Sequence, residues 1–238
     1  MSSDAAHNTI KHVAIIPDGN RRYAAKSSMP SAWGHTKGAA NFRPILRAAL
    51  NLNIPHITVW GASVSNITKR SPLEVEVLVK LFVSEARALL EDKDVFEKSV
   101  RVEFLGRWRE FFPQQAIDAF DKLTKETKDH NRHTLTFLIG YSGTDEMLAA
   151  VREMTAEQLP ADAVTAETLK QHLWTRNLPP VDLVIRTGGE PHWSAGFMMW
   201  DVAEAQLHFT PTLWPEFSVE EFKKIIAEHE IKDRRFGK

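Results

Sequence analysis

His12–Tyr23 reads HVAIIPDGNRRY. Val13 to Ile16 form an unbroken apolar run of strand length, and Pro17-Asp18-Gly19 ends it. Such a run, without alternation, fits a strand buried on both faces of a parallel sheet. The residues after it are polar and mixed in charge. Gly19 lets the backbone approach a ligand closely, and a helix starting near Asn20 would present free N–H groups to an anion. Arg21 and Arg22 add positive charge. Asp18 is the odd member, since a lone carboxylate repels a phosphate unless a hard cation such as Mg²⁺ lies between their oxygens. An ordinary Asp-Gly turn with solvated arginines is the alternative these residues leave open.

Outward from this stretch, short apolar runs alternate with longer helical patterns. Strands are expected at His12–Ile16, His56–Trp60, Val100–Leu105, Thr134–Ile139, Val181–Ile185 and Gln206–Phe209. Helices are expected near 36–51, 72–91, 113–129, 145–158, 166–176 and 217–230. In the second of these, Val75, Leu78, Val79, Phe82, Ala86 and Leu89 recur at helical spacing. The alternation predicts one α/β domain over 1–238, with a mostly parallel six-stranded sheet flanked by helices. Ligands of such sheets bind beyond the C-terminal ends of the strands.

Composition narrows the function classes. The 238 residues carry 30 basic against 31 acidic side chains, a formal charge of −1, which argues against bulk nucleic-acid binding. Cysteine is absent, so disulfides and thiol catalysis are excluded, in keeping with a cytoplasmic location. The opening MSSDAAHNTIKH has no apolar signal-like core, and no run approaches the ~20 apolar residues that span a bilayer. Residues 1–11 are expected to form a flexible tail.

Two further strand ends carry chemistry. TVWGASVSNITKRSP places Ser63, Ser65, Asn66, Lys69 and Arg70 before a helix that Ser71-Pro72 can open. Ser and Asn can hydrogen-bond a phosphate or orient water, and Arg70 can grip a phosphate bidentately. A polar loop with a capping serine is the alternative. VDLVIRTGGEPHWSAGFMMW places Arg186 directly after a strand, then a Gly-Gly turn, Glu190, His192 and Ser194, then the bulky Phe197 to Trp200. If the three ends converge, their two basic clusters suit two anionic groups and their one carboxylate suits a cation.

These segments resemble the cis-prenyltransferase family, the undecaprenyl diphosphate synthase-like enzymes. The likeness runs nearly end to end through HVAIIPDGNRRYA, GHTKGA, SPLEVEVLVKLF, DLVIRTGGE, LWPEF and the closing RRFGK. It implies a homodimer of α/β domains with a hydrophobic tunnel beside a parallel sheet, and Mg²⁺-dependent condensation of isopentenyl diphosphate with an allylic prenyl diphosphate. Contact with a membrane surface is expected for long products. Position by position, Asp18 resembles the Mg²⁺-linked acid. Gly19, Asn20, Arg21, Arg22 and Tyr23 resemble the allylic diphosphate loop, supported by His35. Ser63, Asn66 and Arg70 match the catalytic serine, asparagine and arginine. Arg186 and Ser194 resemble isopentenyl diphosphate ligands, with Glu190 in the same motif. Arg235 and Gly237 resemble the C-terminal Arg-x-Gly element that reaches towards the partner's site. Tunnel-lining residues are expected among Val79, Phe82, Phe104, Leu135 and Phe137, with the small Gly61 and Ala62 near the cleft.

The departures fall on ligand positions. Ser31 and His192 stand where the family has arginines, and Gln206 stands where a glutamate helps hold Mg²⁺. Each lost charge-assisted bond is worth ~1.5–3 kcal/mol, and His192 replaces one only when protonated. One residue is extra between Asn66 and Arg70, and another at Ala195-Gly196. Two other readings stay open. The altered isopentenyl diphosphate side suits irregular coupling of C5 units or terpene cyclisation, and the lost charges suit a non-catalytic subunit of a heteromeric enzyme.

Overall fold

The structure, a computed structural model, describes residues 10–230. Its strands are β1 (His12–Ile16), β2 (His56–Ala62), β3 (Val100–Leu105), β4 (His133–Ile139), β5 (Leu183–Arg186) and β6 (Gln206–Phe209). They form one sheet in the order β3-β4-β2-β1-β5-β6, and every neighbouring pair is parallel. The described helices are α1 (Asn20–Lys26), α2 (Ser31–Asn51), α3 (Val64–Lys69), α4 (Pro72–Glu91), α5 (Lys93–Glu97), α6 (Trp108–Phe111), α7 (Gln114–Thr127), α8 (Gly143–Ala156), α9 (Ala166–His172) and α10 (Val219–Glu230).

Both faces of the sheet are covered, which is why its strands read as continuous apolar runs. Val13, Ile15, Ile57, Val59, Leu135 and Phe137 point into a large core shared with α2, α4, α7 and α10. Ala14, Ile16, Leu138 and Val184 point the other way, onto Tyr141, Leu178, Phe197 and Met198. The polar member of β1, His12, is fully buried and doubly bonded: Nδ1 lies 2.9 Å from the Pro179 carbonyl and Nε2 2.8 Å from Thr58 Oγ1. Burial pushes its pKa down to about 4. The ring is therefore neutral, with Nδ1–H donating to Pro179 and Nε2 accepting from Thr58.

α2 starts five residues earlier than the pattern suggests, because Pro30 supplies an extended N-cap. α4 begins as expected, with the Ser71 hydroxyl accepting from the Glu74 N–H at 3.3 Å and Pro72 in the first turn. Ile10 is buried and the Lys11 N–H donates to Asp182 Oδ2 at 2.5 Å, so the chain is anchored before β1 rather than from residue 12. The rest of the expected N-terminal tail, and Arg235 and Gly237, lie outside the described residues. Among the described residues no helix is long and apolar enough to cross a membrane.

From β1 the chain moves to β2 on one side, and after β4 it crosses to β5 on the other. The C-terminal ends of β1, β2 and β5 thus flank a switch point in strand order, where parallel sheets open a crevice.

Candidate active site

Three strand ends meet there. At the end of β1, Gly19 adopts φ 108°, and a Cβ on it would lie 3.0 Å from the Leu213 Cα, so only glycine fits this turn. The turn fixes Asp18. Its Oδ1 accepts the Gly19 N–H at 2.6 Å and stands 3.5 Å from Arg22 Nη2. Its Oδ2 accepts from Arg186 Nη2 at 3.0 Å. Its backbone carbonyl accepts the Thr187 hydroxyl at 2.8 Å and the Trp214 N–H at 2.9 Å. One carboxylate therefore joins the first and last of the expected segments. Arg22 also donates to the Gly188 carbonyl and sits 3.3 Å from Glu190 Oε1.

Arg186 closes β5 beside Ile16 of β1, and its side chain is only 5% exposed. Besides Asp18 it donates to Ser194 Oγ at 2.8 Å and to the His192 carbonyl. A buried guanidinium needs such partners to offset desolvation. His192 contributes its backbone here; its ring is 61% exposed, 3.6 Å from Glu190 and 3.2 Å from Ser194 Oγ.

At the end of β2, Ser63 and Asn66 form a reciprocal cap on α3: Ser63 Oγ accepts the Asn66 N–H at 3.0 Å, and Asn66 Oδ1 accepts the Ser63 N–H at 3.3 Å. The cap holds both side chains at the cleft. Arg70 then pairs with Glu74 at 3.4 Å, and the same Glu74 oxygen is 3.1 Å from His35 Nε2. Burial holds the His35 pKa below its ordinary value against the opposing Glu74 bond, so a neutral ring donates from Nε2. Burial likewise draws the Arg70 pKa down, with Glu74 opposing. Glu74 is a site residue that the sequence does not mark as one. Its only signal is the Ser71-x-x-Glu74 spacing of a helix start, which reads as a cap and nothing more.

Together these groups line one cleft of about 830 Å³. Asp18, Gly19, Asn20, Arg21, Arg22 and Ser31 line it from the β1 side, and His35, Ser63, Asn66 and Arg70 from the β2 side. Arg186, Glu190 and Ser194 complete the mouth. The remaining wall is largely apolar, with Phe42, Val59, Leu78, Leu81, Phe82 and Phe137. Of the five residues expected to line a tunnel, Phe82 and Phe137 reach this cleft. Val79, Phe104 and Leu135 belong to the adjoining core.

Three expected ligands are placed elsewhere within this chain. Tyr23 stacks on Trp33 at 5.2 Å, on the flank of the α1–α2 pair. The His192 ring is outside the cleft lining. Gln206 opens β6 opposite Leu183, three residues before the Arg186 level, and its amide lies 3.4 Å from the His229 carbonyl. Because β6 runs parallel to β5, Gln206 sits at the far end of the sheet from Asp18, and one chain does not bring the two together. Among the described residues no group of three or more His, Asp or Glu side chains could hold a metal. Among the described residues a cation at Asp18 would meet one carboxylate, which leaves positions for oxygens of a bound molecule or water.

The family model for undecaprenyl diphosphate synthase matches residues 16–237. An isoprenyl transferase of Thermus thermophilus is 36% identical over 236 residues, covering 96% of this chain and 89% of that protein. A geranylgeranyl-diphosphate-specific tritrans,polycis-undecaprenyl-diphosphate synthase of Pyrococcus abyssi is 38% identical over 232 residues, covering 96% and 87%. Among solved structures, lavandulyl diphosphate synthase from Lavandula x intermedia, in complex with dimethylallyl diphosphate, superposes with a TM-score of 0.90 at 27% identity, covering 97% of this chain and 99% of that one. The chain belongs to the undecaprenyl diphosphate synthase family of cis-prenyltransferases.

Proposed function

We propose that the chain condenses isopentenyl diphosphate with an allylic prenyl diphosphate to give a cis-polyprenyl diphosphate. The observation that carries this reading is the Asp18 carboxylate, paired to Arg22 and Arg186 from two strand ends at the mouth of a largely apolar cleft. The allylic C–O bond breaks and its electron pair leaves on the diphosphate. The π electrons of isopentenyl diphosphate form the new C–C bond, and a proton passes from the adjacent carbon to an oxygen of the phosphates held there. Arg21 and Arg22 stabilise charge on the leaving diphosphate, and Arg186 with Ser194 holds the second one. Arg70 adds a further positive charge to the rim, beside the neutral His35 that Glu74 fixes. Phe42, Leu78, Phe82 and Phe137 keep water from the allylic cation and receive the apolar tail.

Asp18 would hold Mg²⁺, a hard cation that suits a carboxylate oxygen, and when bound it would supply Lewis-acid help to diphosphate departure. A homodimer in the cytoplasm suits the exposed Leu207 and Phe209 of the edge strand β6, apolar side chains that a second copy would cover. Purified protein with Mg²⁺, isopentenyl diphosphate and several allylic diphosphates should yield elongated cis products, and Asp18→Ala should abolish them. No elongation from any primer, or turnover by Asp18→Ala, would overturn the reading.

A second reading is irregular coupling of two C5 units, favoured by the likeness to lavandulyl diphosphate synthase and by His192 at an arginine position. Coupled products from a C5 allylic diphosphate without isopentenyl diphosphate would select it.

A further inference from the structure

The apolar part of the cleft ends in a charge. Leu78, Leu81 with Phe82, and Glu85 occupy successive turns of one face of α4, and all four line the cleft. Glu85 is thus where another apolar residue would continue the wall. Its carboxylate pairs with Arg43 Nε of α2 at 3.0 Å. The Glu85 side chain is 15% exposed and that of Arg43 is 41%, so the pair runs from the apolar wall outward to solvent. Arg43 directly follows Phe42, the residue that faces the cleft from α2. Burial raises the Glu85 pKa, with Arg43 opposing the rise.

Resting on the function proposed above, we infer that the Glu85–Arg43 ion pair is the stop that ends chain growth, bridging α2 and α4 across the far end of the apolar cleft. An isoprenyl tail has no group that can replace either partner. To pass between the helices it would have to separate the pair and leave charge against hydrocarbon, which low-polarity surroundings penalise strongly. The depth follows from the helix. Glu85 lies eleven residues beyond Glu74, which marks the diphosphate end, and at 1.5 Å per residue that is roughly 16 Å. With C–C bonds of about 1.5 Å, an extended isoprene repeat spans roughly 5 Å, so the stop falls on the order of three units in.

The test is product length, measured by mass spectrometry after incubation with Mg²⁺, an allylic diphosphate and excess isopentenyl diphosphate. Wild-type protein should release short products, and Glu85→Ala should raise the share carrying at least one more C5 unit roughly tenfold, which corresponds to about 1.4 kcal/mol less resistance to passing the stop. Glu85→Gln keeps the volume but gives up the ion pair, and it should shift the distribution in the same direction; it serves if the alanine variant does not fold. Loss of fold or of turnover does not lengthen products, so this readout separates a stop from a merely structural pair. An active, folded variant with the wild-type distribution overturns the inference alone. Absence of any elongation by wild-type protein overturns the proposed function instead.

Discussion

Arg186→Lys is the substitution that tests how the two halves of the site are joined. Arg186 uses two nitrogens in different directions, Nη2 to Asp18 at 3.0 Å and Nη1 to Ser194 Oγ at 2.8 Å and the His192 carbonyl. Lysine keeps the charge but has one nitrogen, so it can serve Asp18 or the loop around Ser194, not both. Each charge-assisted bond is worth about 1.5–3 kcal/mol. Asp18 is 36% exposed, so solvent discounts its bond towards the lower figure, while the bond from the almost fully buried guanidinium to Ser194 keeps more of its value. The net loss should be about 2 kcal/mol, or roughly 30-fold in kcat/KM. Steady-state kinetics with saturating allylic diphosphate and varied isopentenyl diphosphate would measure it. Adding Ser194→Ala to the lysine variant reports which side lysine chose: if it turned to Asp18, the second change costs less than it does in the wild-type background, because only the contact of Ser194 with the diphosphate is left to lose. A lysine variant within about threefold of wild type would refute the bridging role, because the lost bonds would then contribute under ~1 kcal/mol.

Gly34→Ala should destabilise the α1–α2 pair, since its Cβ would lie 2.9 Å from the Asn20 carbonyl carbon and closer still to the oxygen. The overlap costs about 1–3 kcal/mol or more, against a helix-propensity gain of ~1 kcal/mol, and should lower Tm by several degrees; an unchanged Tm would contradict the packing. Acid should also destabilise the fold through His12. Its folded pKa is about 4 and its unfolded value 6.5, so the unfolded chain takes up the proton first, and stability present above pH 6.5 is lost as pH falls towards 4. That loss is roughly 3 kcal/mol at the low end. An NMR titration should find the His12 ring still neutral at pH 5, and protonation near pH 6.5 in the folded protein would contradict the burial argument.

Where apolar runs and turn signals coincide, the sequence is legible to the residue: His12–Ile16, Val100–Leu105, Gln206–Phe209 and Pro72–Glu91 all stand where the pattern puts them. The convergence of Asp18, Arg70 and Arg186 on one cleft is legible too, because parallel strands deliver their C-terminal ends to one edge. The features that escape depend on register and on partners distant in sequence. α3 is six residues long, too short for periodicity to announce it. Gln206 resembles a metal position, but the β5–β6 register puts it beside Leu183. Tyr23 belongs to the right motif, but the ring of Trp33, ten residues away, holds its side chain. Glu74 and Glu85 read as solvated helix acids; only the packing of α2 against α4 shows that Glu74 meets His35 and that Glu85, in the cleft wall, meets Arg43.

The pairing of Asp18 with Arg22 and Arg186 also means that the site carries its own counter-ion. An arriving diphosphate does not meet two idle arginines; it must exchange for a carboxylate that already neutralises them. Its affinity is therefore a difference between two anions, smaller than the count of positive groups suggests. A cation that draws off the Asp18 oxygens frees Nη2 of Arg186 and leaves Arg22 with Glu190 as its one carboxylate partner among the described residues. Under the proposed function, cation and diphosphate then strengthen each other's binding by the same factor in either order of addition. One carboxylate placed among arginines thereby makes the site tight only when both arrive.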